Sequence, residues 1–303
     1  MNYKYFLYGL NVESEIQIEE AYEREFPDKS DVRIVIGDMP KEALDLFEDK
    51  SEDEPFVAFS KDTMVYRIPG VGDYWVTKDS ITVAPSRGAD HQQIRSFLLG
   101  SGFGYCMLLR KQVLLHGGAV AKDGKGVIVT GESGAGKSTV TDALLEKGFL
   151  FIADDVCSIS VEGERPHINM AYPQQKLCRD AAAKKGYDLS ELIYINEDRD
   201  KYALRLKDGF LPEGADFHYL FEIMLSNEED LSFREITGHE KLMLILRNIY
   251  RGEDGFKFWG VPPEYMQSCL KIAAIVQIYQ ITRPKGKDTL GEVIRHISTI
   301  FGK

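Results

Sequence analysis

The feature that most constrains this chain is the segment GESGAGKS at residues 131–138. It satisfies the pattern G-x-x-x-x-G-K-[ST], whose backbone N–H groups surround a polyphosphate while the lysine reaches the β- and γ-phosphates and the hydroxyl ligates Mg²⁺. Larger side chains would crowd the converging N–H groups, so the loop needs glycine and alanine. In a chain of this length such a pattern arises by chance roughly 1 time in 100. The segment therefore predicts a nucleotide-binding loop, the P-loop.

The sequence on either side of the P-loop supports this interpretation. Residues 126–130 (GVIVT) predict a short strand, and residues 138–147 have the apolar spacing of a helix whose end is marked by Gly148. A helix that begins at the loop directs the positive end of its dipole at the phosphates. The predicted nucleotide contacts are Gly131, Ser133, Gly134, Ala135, Gly136, Lys137, Ser138 and Thr139.

Two acidic residues follow the next predicted strand. Asp154 and Asp155 come directly after residues 149–153 (FLFIA), which we expect to form a parallel strand beside the P-loop. Carboxylates in that position can hold Mg²⁺ and accept a proton. Upstream, His116 follows a short predicted strand, and residues 122–125 (KDGK) predict the turn of a hairpin that leads into the P-loop strand.

Taken together, residues 113–157 resemble the catalytic domain of the HPr kinase/phosphorylase family. The resemblance rests on HGGAV, a hairpin, GESGAGKS, a helix, a glycine and ADDV, in that order. This stretch is also similar to the wider phosphoenolpyruvate carboxykinase-like group, whose smaller relatives include peptide-tailoring kinases that phosphorylate lasso peptide precursors. The implied fold class is α/β, with α+β character overall: a P-loop catalytic domain of the HPr-kinase type with a small N-terminal α+β domain.

The resemblance also implies roles for individual residues. Lys137, His116 and Asp154 would be catalytic, with His116 near the reacting phosphate and Asp154 as the general base on the acceptor hydroxyl. Ser138 and Asp155 would ligate the metal, and the cofactors would be ATP and Mg²⁺. The sequence leaves open which of the two aspartates is the base and which binds the metal.

One family signature is absent from the sequence. HPr kinases carry a second motif with an E-[IV]-R-G-[LM]-G core, and nothing like it follows Asp155. HPr as the substrate, the reverse phosphorylase reaction and a hexameric assembly therefore have no support from the residues themselves. Homo-oligomerisation is left open, and the nucleotide site is unaffected.

Composition excludes several other classes of protein. The net charge of −11 disfavours non-specific nucleic-acid binding, and no apolar run approaches the roughly 18 residues of a membrane span. The four cysteines form no C-x-x-C pair, which argues against a zinc cluster and is typical of the cytoplasm. Residues 1–60 hold 16 acidic against 6 basic residues. This excess predicts either a solvated face or a surface that holds a basic partner segment.

We expect two domains: a small acidic α+β domain at 1–110, which ends in a linking helix at 91–109, and the P-loop catalytic domain at 111–303. The predicted elements of the first are a strand at 3–10, a helix at 14–26, a strand at 32–36, a helix at 40–47 and antiparallel strands between 57 and 84. In the catalytic domain, the elements predicted after Asp155 are a helix that includes Lys176 and ends at 185, a strand at 217–225, helices at 238–250 and 262–274, a strand at 276–281 and a helix at 289–301. Weaker candidates for the cation that completes the site are Lys176, Lys201, Arg247 and Arg251.

The function that these observations favour is transfer of the γ-phosphate of ATP to a Ser or Thr hydroxyl of a small protein or peptide, such as a peptide natural-product precursor, by a cytoplasmic kinase. Two alternatives stay open: a P-loop kinase that acts on a free metabolite, and a regulatory ATPase that binds nucleotide without transferring phosphate. The chain has neither an N-K-x-D element for guanine nor the L-S-G-G-Q signature of ABC-type ATPases. An Asp-Asp pair with His116 also exceeds what nucleotide binding alone requires.

Overall fold

The structure, a computed structural model, describes residues 2–26, 29–48, 50–184, 186–190, 192–195, 201–206 and 208–302. The N-terminal elements are β1 (Tyr3–Leu7), β2 (Leu10–Ser14), β3 (Val32–Ile36), α1 (Lys41–Phe47), β4 (Phe56–Phe59), β5 (Met64–Ile68), β6 (Gly72–Val76), β7 (Ser80–Pro85), α2 (His91–Phe97), a π-helical turn (Leu98–Gly102) and α3 (Phe103–Leu109). The elements that follow are β8 (Val113–Lys122), β9 (Lys125–Gly131), α4 (Lys137–Glu146), β10 (Leu150–Ala153), β11 (Val156–Ser160), β12 (His167–Ile168), β13 (Gln174–Cys178), α5 (Arg179–Lys184), β14 (Ile193–Ile195), β15 (Lys201–Arg205), β16 (Ala215–Ser226), β17 (Ser232–Ile236), α6 (His239–Arg247), α7 (Gly252–Trp259), α8 (Pro263–Ile275), β18 (Gln277–Pro284) and α9 (Leu290–Phe301).

Strands β1 to β7 form one mixed sheet in the order β1-β2-β3-β7-β6-β5-β4. Neighbours β2–β3 and β3–β7 are parallel, whereas β4 to β7 follow one another as antiparallel hairpins. The prediction of antiparallel strands between 57 and 84 is confirmed, because alternating apolar residues and tight turns mark each hairpin. The single strand predicted at 3–10 is instead the start of a hairpin, β1–β2.

The second sheet carries the P-loop. Strands β9, β16 and β18 run parallel with β16 in the middle, and β8 pairs antiparallel with β9. The other edge of β8 pairs with β11 near its beginning and with β10 near its end. Because β8 lies between β9 and β10, those two strands run in the same direction and end at the same edge of the sheet. The strand before the aspartates is thus parallel in direction to the P-loop strand, but its hydrogen-bonded neighbour is the antiparallel β8.

Apolar side chains fill both faces of this second sheet. On one face, Val140 of α4 and Ile297 of α9 belong to a buried cluster with Phe221 of β16. The larger cluster, on the other face, includes Phe103 of α3 and Tyr265 of α8. The predictions for β16, α6, α8, β18 and α9 are confirmed within a few residues at each end, whereas α7 and β17 were not predicted.

The turn between β1 and β2 is bound deep in the molecule. Tyr8 is 1% exposed, and its backbone N–H donates to the carbonyl of Met170 at 2.9 Å. Its own carbonyl accepts from Ser158 Oγ at 2.9 Å and from Gln112 Nε2 at 3.3 Å. The larger core cluster contains residues from both sides of residue 110. The division into domains 1–110 and 111–303 stays a prediction.

The helix predicted at 14–26 is wrong, because Ser14 ends β2 and the chain then turns. Side chains occupy the backbone N–H groups that a helix would use. Ser14 Oγ accepts from the N–H of Ile16 at 3.0 Å, and the hydroxyl of Tyr5 accepts from the N–H of Ile18 at 2.8 Å. Such local hydrogen bonds offer the backbone an alternative to the helix.

A buried ion pair fixes the segment that replaces the helix. The carboxylate of Glu20, a residue that is 8% exposed, accepts hydrogen bonds from Arg95 Nε at 3.0 and 2.9 Å. Arg95 lies on α2 and is 6% exposed. Glu19 lies 3.4 Å from another nitrogen of the same guanidinium, but its side chain is 59% exposed. The two neighbouring carboxylates therefore differ in burial while sharing one partner.

We predict that Glu20→Ala lowers the free energy of unfolding by about 3–5 kcal/mol, because Arg95 would keep its charge in the interior without its buried partner. The matched variant Glu19→Ala should cost no more than about 1 kcal/mol, since that carboxylate is mostly solvated. Denaturant unfolding followed by circular dichroism measures both values. Equal losses in the two variants would contradict the prediction.

Three cysteines are buried free thiols: Cys106, Cys157 and Cys269. Burial raises the pKa of Cys106 and of Cys269 to about 12. These two thiols therefore stay protonated and pack as small apolar side chains. Within the described residues, no helix has both the length and the apolar character needed to cross a membrane.

Candidate functional site

The P-loop follows β9 and turns on three glycines with positive φ. Gly131, Gly134 and Gly136 have φ of 132°, 86° and 98°, a region that residues with side chains rarely adopt. A Cβ on Gly131 would also lie 2.1 Å from the carbonyl oxygen of Ile223 on β16. Only glycine therefore fits the first position, and the close approach ties the loop to the neighbouring strand.

Lys137 extends back over the loop from the first turn of α4. Its ammonium donates to the carbonyls of Gly131 at 2.9 Å and Glu132 at 3.2 Å. The exposed side chains of the loop and of the first helical turn include Ser133, Ser138 and Thr139. The cation and the hydroxyls predicted from the sequence thus surround one glycine-rich loop, an arrangement that suits a polyphosphate.

Asp154 and Asp155 follow β10, at the edge of the sheet where β9 also ends. Asp154 accepts from the backbone N–H of Asp155 at 3.1 Å and from the backbone N–H of Lys176 at 2.7 Å, one on each oxygen. The ammonium of Lys176 lies 3.4 Å from Asp155 Oδ2. Asp155 has a φ of 65°, unusual for a residue with a side chain, as the chain turns from β10 into β11. Both carboxylates are therefore oriented, one by amides and one by a cation.

Lys176 lies on a strand and not in the predicted helix. It pairs with Ala203 between β13 and β15, and the helix α5 begins only at Arg179. The side chain of Lys176 is 13% exposed. An ammonium enclosed beside two carboxylates can meet a phosphoryl group that is bound there. Of the weaker candidates for a completing cation whose side chains the structure describes, Lys176 is the one placed beside the aspartates.

His116 is joined both to the aspartates and to the strand before the P-loop. Its Nδ1 lies 3.2 Å from the carbonyl oxygen of Asp155, and its ring stacks on Tyr250 with the centroids 5.9 Å apart. Its backbone N–H donates to the carbonyl of Asn248 at 2.9 Å. The hydroxyl of Thr130 lies 2.7 Å from the carbonyl oxygen of His116 and 2.9 Å from Asn248 Oδ1. These contacts fix the position of the His116 backbone relative to the start of the loop.

A buried carboxylate that the sequence analysis does not predict lies behind this region. Glu222 of β16 is 3% exposed and accepts from Arg247 Nε, Asn248 Nδ2 and Gln280 Nε2, each at 2.8 Å. Burial opposes its charge, but the hydrogen bonds from Arg247, Gln280 and Asn248 hold the pKa of Glu222 below its ordinary value. Glu222 therefore orients the same Asn248 that holds His116.

Arg283 is a second residue that the sequence analysis does not assign to the site. Its Nη1 lies 3.3 Å from the carbonyl oxygen of Ala135, and a Cβ on Gly136 would lie 2.5 Å from the same nitrogen. Its Nε donates to Thr289 Oγ1 at 2.8 Å, which fixes the guanidinium. The signal available in the sequence is its place near the end of a strand that runs parallel to β9, because parallel strands deliver their carboxyl ends to one edge.

The other candidate cations have different partners. Arg247 is bound to Glu222, as described above. Arg251 donates to Ser101 Oγ at 2.8 Å and lies over the ring of Tyr250 at 5.6 Å. The side chain of Lys201 and residues 196–200 lie outside the described part of the chain.

A metal ion at this site would need ligands beyond the protein. Among the described residues, no group of three or more His, Cys, Asp or Glu side chains could hold a metal. The two predicted ligands, Ser138 and Asp155, supply oxygen atoms, which Mg²⁺ prefers. Mg²⁺ typically takes one or two protein oxygens and completes its shell with water and phosphate, so the two residues fit a magnesium ion that arrives with a nucleotide.

Residues 108–176 match the family model of the HPr Serine kinase C-terminal domain. This segment of the chain is HPr-kinase-like. The matched segment contains His116, the P-loop, Asp154 and Asp155, and it ends at Lys176. Glu222 and Arg283 lie outside the HPr-kinase-like segment, so the motifs of that segment do not include them.

Two curated relatives are similar to the chain over this region. They are the HPr kinase/phosphorylases of Thermoanaerobacter sp. (strain X514) and Thermoanaerobacter pseudethanolicus (strain ATCC 33223 / 39E), each 30% identical over 121 residues. The alignment covers 34% of this chain and 40% of each relative. Among solved structures, the Hpr(Ser) kinase/phosphatase from Coxiella burnetii is 15% identical with a TM-score of 0.32, over 62% of this chain and 93% of that one. The structural likeness is weak.

We predict that Arg283→Gln weakens the binding of ADP by about tenfold, because it removes a positive charge that is held against the loop. The matched variant Lys287→Gln also removes one positive charge, from the segment between β18 and α9. The exposed ammonium of Lys287 donates to the carbonyl of Glu229, so this variant should change affinity less than about twofold. Titration of a fluorescent ADP analogue measures both. Equal effects would mean that only the general charge of the region matters.

A second prediction concerns pH and Glu222. A carboxyl group in the unfolded chain has a pKa of about 4.3, and the folded value is lower, so the ionised group stabilises the fold above about pH 4.3. That contribution is lost as the pH falls through the folded pKa. Glu222→Gln should therefore lower the free energy of unfolding by about 1–3 kcal/mol at neutral pH, with a deficit that shrinks in acid. Denaturant unfolding across pH measures this, with exposed Glu228→Gln as the control. A deficit independent of pH would contradict the assignment.

Proposed function

We propose that this protein is an ATP-dependent kinase that transfers the γ-phosphoryl group to a Ser or Thr hydroxyl of a small protein or peptide. The observation that carries the proposal is the meeting of two oriented carboxylates, His116 and the P-loop at one edge of a sheet. A site that only bound nucleotide would need the loop and Lys137, but no oriented base beside the terminal phosphate.

In this proposal the loop N–H groups, Lys137 and the start of α4 hold the polyphosphate. Ser138 and Asp155 would hold Mg²⁺, which would supply positive charge to stabilise the transferring phosphoryl group. Lys176, which contacts Asp155 at 3.4 Å, then adds a cation on the acceptor side of the site.

Asp154 is the proposed general base. Its two oxygens each accept one backbone N–H, which fixes the plane of the carboxylate. Asp154 takes the hydroxyl proton as the acceptor oxygen forms its bond to the γ-phosphorus. The bond to the β–γ bridging oxygen breaks, and ADP is the leaving group. His116 lies next to this step, held by Asn248 and stacked on Tyr250.

The acceptor class is inferred from the resemblance to peptide-tailoring kinases and from the acidic N-terminal segment. The matched relatives are named for HPr, but they share only the region around the P-loop with this chain. The second HPr kinase motif is absent from the sequence. We therefore propose a protein or peptide hydroxyl as the acceptor without proposing HPr itself or the reverse phosphorylase reaction.

The test is transfer of label from [γ-³²P]ATP in the presence of Mg²⁺ to proteins of a cell extract and to peptides encoded beside this gene. We expect label on Ser or Thr. Asp154→Asn should lower the rate constant of transfer by about 10²–10⁴-fold with nucleotide affinity retained, because it removes the base and not the phosphate contacts. Lys137→Ala should lower nucleotide affinity as well as transfer.

One control variant and two alternative outcomes separate the possible results. Lys147→Ala removes an exposed cation from the far end of α4 and should leave transfer unchanged. Label on a free metabolite and on no protein or peptide would replace the proposed acceptor class. ADP formation with no labelled acceptor of any kind would instead support the regulatory ATPase.

A further inference from the structure

The edge strand β4 has backbone groups that face away from its sheet. β4 ends the order of the first sheet, and among the described residues it pairs only with β5. The N–H of Ser60 donates to the carbonyl of Thr63 at 2.9 Å, so hydrogen-bonded pairs recur at alternate positions along this hairpin. By this alternation the N–H and C=O groups of Val57 and Phe59 point outward. Such groups are a template for a further strand.

A cleft of about 220 Å³ opens beside this edge, between the β4–β5 hairpin and the helices α3 and α7. Its wall includes Val57, Tyr66, Tyr105 and Arg251. The side chain of Val57 is 44% exposed here, so part of the apolar wall faces solvent. A strand added to β4 would place every second side chain on the face of the sheet that borders the cleft.

The cleft is separated from the candidate active site by a single side chain. The guanidinium of Arg251, in the cleft wall, lies over the ring of Tyr250 at 5.6 Å. The ring of Tyr250 in turn stacks on His116 at 5.9 Å. A chain bound in the cleft would therefore be connected to the histidine of the proposed transfer site through Arg251 and Tyr250.

The charge around the β4 edge selects the kind of chain that would bind. Residues 52–54, which directly precede the hairpin, are Glu, Asp and Glu, and all three are exposed. Of the two arginines in the cleft wall, Arg67 is bound by Asp73 through two contacts of 2.7 Å, and Arg251 lies 3.9 Å from Asp254. The unbalanced charge at the mouth of the cleft is therefore negative, which complements a basic segment.

We propose that the β4 edge and its cleft bind an extended basic segment of the acceptor as an additional strand. Apolar side chains of that segment would enter the cleft beside Val57, and Lys or Arg side chains on the alternate face would meet residues 52–54. This inference rests on the proposed function in one respect, namely that the acceptor is a protein or peptide. It assigns substrate recognition to the N-terminal sheet, with the phosphorylated hydroxyl outside the paired segment.

The probe is a fluorescein-labelled peptide in which Val and Lys alternate over about eight residues, the length of a typical strand. Fluorescence anisotropy without nucleotide should show binding to the wild-type protein, at least about tenfold tighter than for the peptide with Glu in place of Lys. Hydrogen exchange should show protection of the Val57 and Phe59 amides when the peptide is bound. Absence of binding, no preference for Lys over Glu, or no protection at these amides would overturn the inference.

The matched variants are Val57→Pro and Val57→Thr. Proline removes an N–H that faces away from the sheet, a position that edge strands tolerate, whereas threonine keeps the N–H and the branched shape. We expect Val57→Pro to weaken peptide binding about tenfold and Val57→Thr to change it less than about twofold. ADP affinity and melting temperature should match the wild type in both. Equal peptide affinities for the two variants would refute edge pairing.

A second measurement does not depend on any variant folding. Peptides N-methylated on one set of alternate residues lose the hydrogen bonds that pair them with β4, whereas methylation of the other set leaves these bonds intact. One methylated peptide should therefore lose binding by at least about tenfold and the other should keep it. Similar affinity of the two peptides would overturn the inference.

Sedimentation of wild-type protein and of Val57→Pro tests whether a second copy of this chain, and not the acceptor, pairs with the edge. A dimer that Val57→Pro converts to monomer would mean that a second copy of this chain pairs there, which would also overturn the proposal. The two failures can be distinguished. Phosphate transfer without edge binding would overturn only this inference. Edge binding without transfer would overturn the kinase, and with it the assignment of the bound segment to an acceptor, but would leave the peptide site itself.

Discussion

Backbone pairing along β8 is the interaction on which the candidate site depends. This ten-residue strand pairs with β9 on one edge and with β10 and β11 on the other, which brings the P-loop and the aspartates to the strand that carries His116. The approach is close: a Cβ on Gly117 would lie 2.3 Å from the carbonyl oxygen of Val129, and one on Gly118 would lie 2.5 Å from Thr141 Oγ1. The two glycines after His116 are thus explained by sheet packing, independently of any chemistry at the histidine.

The parts of the site that could be predicted belong to short motifs of consecutive residues. The loop glycines, Lys137 and the aspartates are recognisable in this way, because the backbone conformations they need restrict the local residue types. Glu222 and Arg283 could not be found this way. Each acquires its place from parallel pairing, of β16 with β9 and of β18 with β16, and a single carboxylate or guanidinium in a strand has no local signature.

Errors in the fold predictions have the same origin. The helix expected at 14–26 had suitable apolar spacing, but hydrogen bonds from backbone N–H groups to the hydroxyls of Ser14 and Tyr5, and the pairing of Glu20 with distant Arg95, prevailed over that local preference. Lys176 was likewise expected in a helix, whereas pairing with Ala203 makes it part of a strand. In both places a contact between segments far apart in sequence decides the structure, and periodicity within one segment cannot reveal it.

The burial of Tyr8 has a consequence for how the molecule unfolds. Its backbone bonds to Ser158, Gln112 and Met170 connect the first hairpin to β11, the strand that continues directly from Asp155. If that hairpin detached, Ser158, Gln112 and Met170 would each lose a hydrogen bond while apolar surface on both sides of residue 110 became exposed to water. Melting of the N-terminal hairpin is therefore coupled to loss of order at the aspartates, and the chain should lose both in one cooperative transition.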